Sequence, residues 1–162
     1  MKGDARLIEG LNEILTGELT GINQYFIHAM MCQNWGFMEL ADKIRAESIS
    51  EMNHAETIIE RILHLEGIPN LTRLEKIRVG ERVLDQLKFD LEVENLAIGR
   101  FNRMIELAVE VVDNGTRKML EEMLASEEEH QHWLESQLEL IRQVGEPNYL
   151  AQQIRRVESQ AK

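Results

Sequence analysis

The amino-acid sequence predicts an all-α protein: a four-helix bundle with a long crossover between its second and third helices and a short fifth helix near the C-terminal end. Three observations favour this fold. Four long segments have apolar residues at helical spacing, one connection is much longer than the others, and the composition is rich in Leu, Glu, Ala, Ile and Met. Charged residues make up 29% of the 162 positions and aromatic residues only 5%, which suits a bundle better than a sheet.

The apolar stripes place the four long helices at about residues 5–34, 37–66, 81–113 and 116–144, and a short amphipathic helix at 148–157. In each long segment, Leu, Ile, Met or Phe recurs every three or four positions, so that one side of the helix is buried. In the first helix the predicted buried side consists of Leu7, Leu11, Ile14, Leu15, Ile22 and Phe26.

The connections between the helices predict the topology. Short turns near Trp35-Gly36 and Asn114-Gly115 join the first helix to the second and the third to the fourth, so each pair is expected to be antiparallel. Gly67 is expected to end the second helix. The segment from Gly67 to Gly80, GIPNLTRLEKIRVG, contains no clear helix and is long enough to run the length of the bundle. The second and third helices are therefore predicted to be parallel.

Charge and cysteine content exclude several classes of protein. The net charge of −11 argues against a nucleic-acid partner, since phosphate binding requires clustered Lys and Arg. The acidity suits a protein that handles cations, although solubility alone is the simpler explanation. Cys32 is the only cysteine, so no disulfide forms within the chain. The opening MKGDARLIEG lacks the apolar core of a signal peptide, and no run approaches 18 apolar residues. We expect a single domain over residues 1–162, in the cytoplasm and not in a membrane.

A glutamate–histidine pair occurs twice in the sequence. SEMNHAE places Glu51 three residues before His54, and SEEEHQHWLE places Glu127 three residues before His130. Residues three apart on a helix share one face, so each pair presents a carboxylate and an imidazole to the same neighbour.

Two further glutamates repeat with a constant spacing. Glu18 precedes the glutamate of the first pair by 33 residues, and Glu94 precedes that of the second pair by the same distance. The sequence therefore reads as two copies of one helical hairpin. Both glutamates lie within apolar stripes, where a carboxylate loses its hydration at a cost of several kcal/mol unless it is compensated.

Six such side chains in one bundle would bring four carboxylates together, and protons or cations must neutralise their repulsion. Each Glu–His pair alone is usually a solvated surface pair, but the whole combination predicts two bound metal ions. Mixed oxygen and imidazole ligation suits iron or manganese, and also accepts zinc or cobalt. The predicted ligands are Glu18, Glu51, His54, Glu94, Glu127 and His130.

Two other residues lie close to this predicted site. Tyr25 follows Glu18 by two helical turns, so its phenol could hydrogen-bond a ligand carboxylate and donate an electron when oxygen is reduced; packing in the core fits the sequence equally well. Met52 points about 100° away from Glu51 and toward the outside of the bundle, where its default interpretation is a contact residue in an apolar interface. The remaining histidines are expected at the surface or in helix caps: His28, His64 and His132.

The chain resembles bacterioferritin, the haem-containing branch of the ferritin family. The similarity covers essentially the whole chain and is carried by MKGDARLIEGLN, ELTGINQYF, ESISEMNHAETIIERILHLEGIPNL and EEEHQHWLE. It implies a ferritin-like bundle with two iron ions per subunit. One iron would have Glu18 and His54 as terminal ligands, the other Glu94 and His130, and Glu51 and Glu127 would bridge them.

The resemblance also implies a haem and a shell. Met52 matches the axial ligand of a haem b that two subunits share, which replaces the default interpretation of this residue. Dimers would assemble into a hollow shell of 24 subunits, with the helix at 148–157 around its fourfold axes. The implied function is iron storage and detoxification: O2 or H2O2 oxidises Fe2+ at a ferroxidase centre, and the shell stores the ferric mineral. Electrons from a ferredoxin-type reductant would pass through the haem and help to release iron.

The sequence departs from this family pattern on the cavity-facing side of the second helix. Some bacterioferritins carry a histidine and an aspartate there, which form an additional iron site. This chain has Ala46 and Ser50 at those positions, with only Glu47 nearby. The departure argues against an iron site on the inner surface.

Two other classes of function fit parts of the sequence. A di-iron oxidase would keep its two irons as a cofactor and never as cargo. A metal or haem carrier, or a structural bundle whose glutamates share protons, would oxidise nothing. The short fifth helix favours a shell over an oxidase, and the number of irons bound per assembly separates the three classes.

Overall fold

A computed structural model describes residues 1–155 of the chain. In this range it contains five α-helices and no β-strand, which confirms the all-α prediction. In chain order the helices are α1 (Ala5–Trp35), α2 (Met38–His64), α3 (Val83–Glu110), α4 (Asn114–Val144) and α5 (Glu146–Ala151). No helix in the described range has an 18-residue stretch apolar enough to cross a membrane.

The four long helices pack as two hairpins, α1 with α2 and α3 with α4, and α1 also packs along α3. The contacts between α1 and α3 run in opposite order along the two helices, since Gly10 meets Met104 whereas Cys32 meets Gln86. Because α1 is antiparallel to both α2 and α3, those two helices are parallel to each other. This is the topology that the connection lengths predict.

The crossover between α2 and α3 contains no helix and follows α1 along most of its length. The side chains of Asn12, Thr20, Gln24 and His28 hydrogen-bond, in that order, to the backbone of Ile68, Glu75, Arg78 and Gly80. Polar side chains of α1 thus satisfy backbone groups of an extended segment that has no sheet to pair with. The predicted long crossover is confirmed.

The ends of α1 follow from its local sequence. The carboxylate of Asp4 accepts hydrogen bonds from the backbone N–H groups of Arg6 and Leu7 and so caps the first turn. Gly36 ends the helix in the left-handed region with φ of 88°, which glycine adopts at little cost. The turn predicted near Trp35-Gly36 is confirmed.

The end of α2 differs from the prediction. The helix stops at His64, and the residue in the left-handed region is Glu66, with φ of 63°, not Gly67. Gly67 is required for space, because a Cβ at this position would lie 2.6 Å from Cγ2 of Ile8. The glycine therefore permits the start of the crossover to lie directly against α1.

The second short turn lies earlier in the chain than predicted. It occupies residues 111–113, and Asn114-Gly115 belongs to the first turn of α4. The reason is a helix cap: the Asp113 carboxylate accepts hydrogen bonds from the N–H and the hydroxyl of Thr116, which starts the helix at once.

Two other expectations are corrected. Phe26 is 49% exposed, because it lies on the outer side of α1, where the guanidinium of Arg45 covers its ring; the adjacent Tyr25 is buried in its place. The fifth helix is shorter than the predicted 148–157, since turns follow Ala151 and residues 156–157 lie outside the described range.

The apolar core forms two clusters, one toward each end of the bundle. One contains Leu7 to Leu15 of α1 and Phe101 of α3, and the other contains Tyr25 to Cys32 of α1 and Leu87 of α3. In every long helix the predicted metal ligands fall between the residues that belong to the two clusters. The fold thus places a polar layer in the middle of the bundle, with one apolar cluster on each side.

The anchoring of the crossover by Asn12 gives a testable prediction. Its amide donates to the carbonyl of Ile68 and accepts from the N–H of Asn70, at 3.1 and 2.8 Å. Asn12→Ala leaves both groups without a partner, at a cost of about 1–3 kcal/mol. Hydrogen exchange of the Asn70 amide should therefore accelerate by about tenfold or more.

Asn102→Ala is the matched control, because the Asn102 amide is exposed and bonds only to the carbonyl of Ile98 within its own helix. It should leave exchange in the crossover unchanged. Equal acceleration by both variants would contradict the anchoring role.

Candidate metal centre

The six predicted ligands meet in the polar layer between the two apolar clusters. One comes from α1, two from α2, one from α3 and two from α4: Glu18, Glu51 and His54, Glu94, Glu127 and His130. Five of them are buried, and the side chain of His54 is 13% exposed. Each lies on the inner face of its helix, as the helical spacing predicts.

The ligand atoms form two groups that share one residue, Glu51. Atoms of Glu18, Glu51, His54 and Glu127 lie within 4.8 Å of one another, and so do atoms of Glu51, Glu94 and His130. Each group has the size and the donor types of a metal coordination sphere. Glu51 is thus placed to bridge two ions. Glu127 belongs to one group only, so its bridging role stays a prediction.

Both histidines direct Nδ1 into the cluster. Nδ1 of His54 lies 2.9 Å from Oε1 of Glu127, and Nδ1 of His130 lies 2.7 Å from Oε1 of Glu94. Desolvation acts to lower the pKa of His54, but the hydrogen bond and charge of Glu127 outweigh it and raise this pKa. Desolvation lowers the pKa of His130. The same nitrogen of each ring is available to a metal ion in place of its present partner.

Three carboxylate oxygens of the cluster have no hydrogen-bond partner among the described residues, namely Oε2 of Glu18, Glu94 and Glu127. A buried oxygen without a partner costs about 1–3 kcal/mol, and more if it is charged. Three such atoms on three helices, beside two inward imidazole nitrogens, are compensated together by cations. The donor set therefore fits two metal ions.

Burial also fixes the protonation of the metal-free cluster. Desolvation and the nearby carboxylates raise the pKa values of Glu18, Glu51 and Glu94 well above their ordinary range. Desolvation acts on Glu127 too, but hydrogen bonds with Glu94 and His54 outweigh it and lower the pKa of this group. These shifts favour the protonated forms of three of the four carboxyl groups, so a metal ion that binds them competes with protons.

Tyr25 makes the contact that its position predicts. The buried phenol donates a hydrogen bond of 2.5 Å to Oε1 of Glu94, and its ring meets the ring of His130 edge-on at 5.2 Å. Desolvation, followed by the charge of Glu94, raises the pKa of the phenol well above its ordinary value. The hydroxyl is satisfied by a predicted ligand, so Tyr25 both packs in the core and orients the carboxylate.

His130 has further neighbours that the sequence reasoning did not assign to the site. The ring of Trp133 stacks on it at 6.1 Å, and Oε2 of Glu47 lies 3.6 Å from its Nδ1. Lys43 pairs with Glu47 at 2.8 Å and lies over the Trp133 ring at 5.3 Å. Helical spacing carries the signal, since Trp133 follows His130 by three positions and Glu47 precedes Glu51 by four.

The sequence analysis expects His28 at the surface or in a helix cap, but its side chain is fully buried. Its Nδ1 lies 2.8 Å from Oδ1 of Asp90, and its Nε2 accepts a hydrogen bond from the N–H of Gly80 at 3.0 Å. Gln24 donates to the same Asp90 oxygen at 2.9 Å. The expectation failed because the partner of His28 lies on another helix. A sequence signal does exist, since Asp90 precedes Glu94 by one helical turn. His64 and His132 are exposed, as expected.

Met52 lies outside the bundle, with 54% of its surface exposed. Ile49 on the same helix and Phe26, Ile27 and Met30 on α1 are also exposed. Isolated apolar residues on a surface are normal, whereas several large apolar side chains exposed on two neighbouring helices are typical of surfaces that form interfaces.

Comparison with known proteins identifies the family. A family model described as "Ferritin-like domain" matches residues 8–144. The bacterioferritin of Mycobacterium leprae is 46% identical over 156 residues, which cover 96% of this chain and 98% of that protein. Bacterioferritin BfrA of Mycobacterium tuberculosis H37Rv gives the same identity and coverage. The bacterioferritin of Streptomyces coelicolor is 48% identical over 151 residues, covering 93% of this chain and 90% of that protein.

These relatives have nearly the same length as this chain, and the matched range contains all six clustered residues. Iron storage is the function that goes with this family, and the cluster could hold metal. Similarity of this extent, on a bundle with this topology, shows that the chain belongs to the bacterioferritins within the ferritin-like proteins.

Proposed function

We propose that this chain stores and detoxifies iron by oxidising Fe2+ at a di-iron ferroxidase centre within each subunit and holding the ferric product inside a shell. The observation that carries the proposal is the set of three unpartnered carboxylate oxygens and two inward Nδ1 atoms in one buried cluster. The three oxygens have no hydrogen-bond partner among the described residues, and two cations would compensate them.

Each residue of the cluster has a defined role in this proposal. Glu18 and His54 hold one iron ion, and Glu94 and His130 hold the other. Glu51 and Glu127 bridge the two positions. Because burial raises the pKa values of Glu18 and Glu94, binding of Fe2+ competes with protons at these groups and favours their release. The anionic ligand set stabilises Fe3+ more than Fe2+, which favours oxidation.

The electron count suits a two-ion site. Two Fe2+ ions supply two electrons, enough to reduce O2 to H2O2 or to reduce H2O2 to water, with two protons taken up in either case. The chain's part is to bind the two ions close together, to exclude water with the apolar clusters, and to hold the phenol of Tyr25 beside Glu94. From that position Tyr25 donates a further electron when reduction of the oxidant requires more electrons than the two that the Fe2+ ions supply.

Storage needs a cavity, and haem needs a second subunit. We propose that residues 1–162 act as one ferritin-like domain in the cytoplasm, that dimers of it build a shell of 24 subunits, and that Met52 of two subunits holds a haem b at the dimer interface. The exposed thioether in an apolar patch supports this assignment. A haem held there by Met52 would supply electron transfer from a ferredoxin-type reductant, so that stored Fe3+ could leave as Fe2+.

Two alternatives predict different amounts of bound iron. An oxidase would stop at two irons per chain, and a structural cluster would bind none. Within residues 1–155, the cavity that touches Glu18 has a volume of only about 150 Å³, which is small for an organic substrate. The storage proposal therefore fits the site better than an oxygenase does.

Removal of one ligand should abolish rapid iron oxidation. Glu127→Ala or His130→Ala deletes a donor of the centre, so the fast phase of Fe3+ formation in stopped-flow absorbance should slow by at least about tenfold. The intact protein should take up many more than two irons per chain, and size-exclusion mass should show that the variants still assemble.

Glu128→Ala is the matched control, because Glu128 is adjacent to Glu127 but exposed. It removes one negative charge and should leave the fast phase unchanged. Fast oxidation that survives Glu127→Ala and His130→Ala would refute the site, and saturation at two irons per chain would favour an oxidase.

The electron-donor role of Tyr25 can be tested separately from its packing. Tyr25→Phe keeps the ring but removes the hydroxyl that donates to Glu94. If Tyr25 donates an electron, oxidation of Fe2+ at low iron loading should give a tyrosyl radical signal in electron paramagnetic resonance. We expect Tyr25→Phe to lack this signal but still to bind two Co2+ ions.

The chain has only two tyrosines, so Tyr149→Phe is a natural control. Tyr149 is buried within α5, and its hydroxyl donates to Gln137 of α4. An undiminished radical in Tyr25→Phe, or its loss in Tyr149→Phe, would assign the electron to another residue.

Haem binding should depend on the sulfur atom of Met52. Met52→Leu keeps the apolar patch but removes the exposed thioether, so haem absorbance of the purified protein should disappear while iron oxidation continues. Met30→Leu is the control, since Met30 is also exposed but its sulfur already accepts a hydrogen bond from Arg45. Haem that persists in Met52→Leu would show that another group holds it.

A further inference from the structure

The two halves of the metal centre have equal ligands but unequal surroundings. Every ligand of the second half follows its counterpart in the first half by 76 residues: Glu94 follows Glu18, Glu127 follows Glu51, and His130 follows His54. The same displacement therefore pairs each residue around one metal position with its counterpart around the other. The comparison shows which parts of the surroundings are not duplicated.

Polar groups surround the position of Glu94 and His130. Tyr25 donates to Glu94, and one turn before Glu94 the buried Asp90 accepts hydrogen bonds from Gln24 and His28. Asp90 is 1% exposed, and both of its partners are fully buried. A carboxylate group is thus fixed inside the protein beside this half of the centre.

The surroundings of Glu18 and His54 are mainly apolar, with one exception. The counterpart of Gln24 is Arg100, which lines the cavity that touches Glu18 and pairs with Glu75. The counterpart of Tyr25 is Phe101, the counterpart of Asp90 is Ile14, and the counterpart of His28 is Met104. Ile14 and Phe101 are buried in one apolar cluster and line the small cavity that touches Glu18. The first half thus lacks both the phenol and the additional carboxylate.

The hydrogen bonds show that Asp90 has no cationic partner among the residues that bond to it. Gln24 is a neutral amide. Nε2 of His28 accepts the N–H of Gly80 and therefore carries no proton, so the ring is neutral and its proton lies on Nδ1, between the ring and Asp90. Both donors reach the same oxygen, Oδ1 of Asp90, and an ionised side chain accepts them more strongly than a neutral one. The negative charge of an ionised Asp90 would act over a longer distance in the interior than in water.

We propose that Asp90 makes the Glu94–His130 position the tighter of the two metal-binding positions, so that the centre fills in a fixed order. Asp90 is a positioning residue in this proposal, because it acts on the bound cation through its charge and not as a ligand. The inference rests on the proposed di-iron function and adds to it an order of loading that the six ligands alone do not produce.

Binding of Co2+ to the metal-free protein tests the order without any redox reaction. His54→Ala leaves the Glu94–His130 position complete, and His130→Ala leaves the Glu18–His54 position complete. Titration followed by the visible absorbance of Co2+ should show tighter binding to His54→Ala, by about tenfold.

Asp90→Asn then tests whether the charge of Asp90 causes the difference in Co2+ affinity between the two positions. The amide oxygen can still accept from Gln24 and His28, so the hydrogen-bond network is kept. We expect Asp90→Asn to weaken Co2+ binding by about tenfold in the His54→Ala background and to leave it unchanged in the His130→Ala background. Asp90→Glu, which keeps the charge, should preserve tight binding.

Glu92→Gln is the matched control, since Glu92 is an exposed carboxylate two positions away on the same helix and its removal should change neither affinity. Equal affinities of His54→Ala and His130→Ala, or an equal loss at both positions with Asp90→Asn, would overturn the inference while leaving the di-iron proposal intact. If Asp90→Asn does not fold, the comparison of the two histidine variants still decides the order. A protein with all six ligands that binds no Co2+ would refute the di-iron proposal itself.

Discussion

Four buried glutamates that meet in the middle of a helical bundle are the constraint on which this structure depends. Each carboxyl group loses its hydration there, and three oxygens find no partner among the described residues. Two apolar clusters, one on each side, provide the stability that such a layer lacks. The long helices follow from the same requirement, because each must extend past the polar layer in both directions to reach both clusters.

The same helix serves two different chemistries through the angle between successive side chains. Glu51 and His54 point into the bundle, whereas Met52, between them in the sequence, points out of it and is exposed. The inner face suits hard metal ions, since it offers oxygen and imidazole donors, and the outer face offers a soft thioether. A single segment of α2 can therefore connect the interior of one subunit with the surface at which a second subunit would dock.

Much of this arrangement could be predicted from the sequence, because helical spacing fixes which residues share a face. The six clustered residues, the contact of Tyr25 and the long crossover all follow from periods and connection lengths. What spacing cannot supply is the partner on another element. His28 and Asp90 are 62 residues apart, so neither reveals the other. The turn at Glu66 and the early start of α4 at Asp113 were missed because local hydrogen bonds, and not the apolar stripe, decide where a helix ends.

All six clustered residues belong to one chain, and this has a consequence for mixed assemblies. If intact subunits were combined with subunits that lack the cluster, the number of competent centres would equal the number of intact chains, whatever their arrangement. A group held between two copies of Met52 would behave differently if the second kind of subunit also lacked Met52. It needs Met52 on both sides, so its occupancy would fall with the square of the intact fraction. The ratio of the two kinds of subunit would then set the number of metal centres relative to the number of groups held between two Met52 residues in one particle.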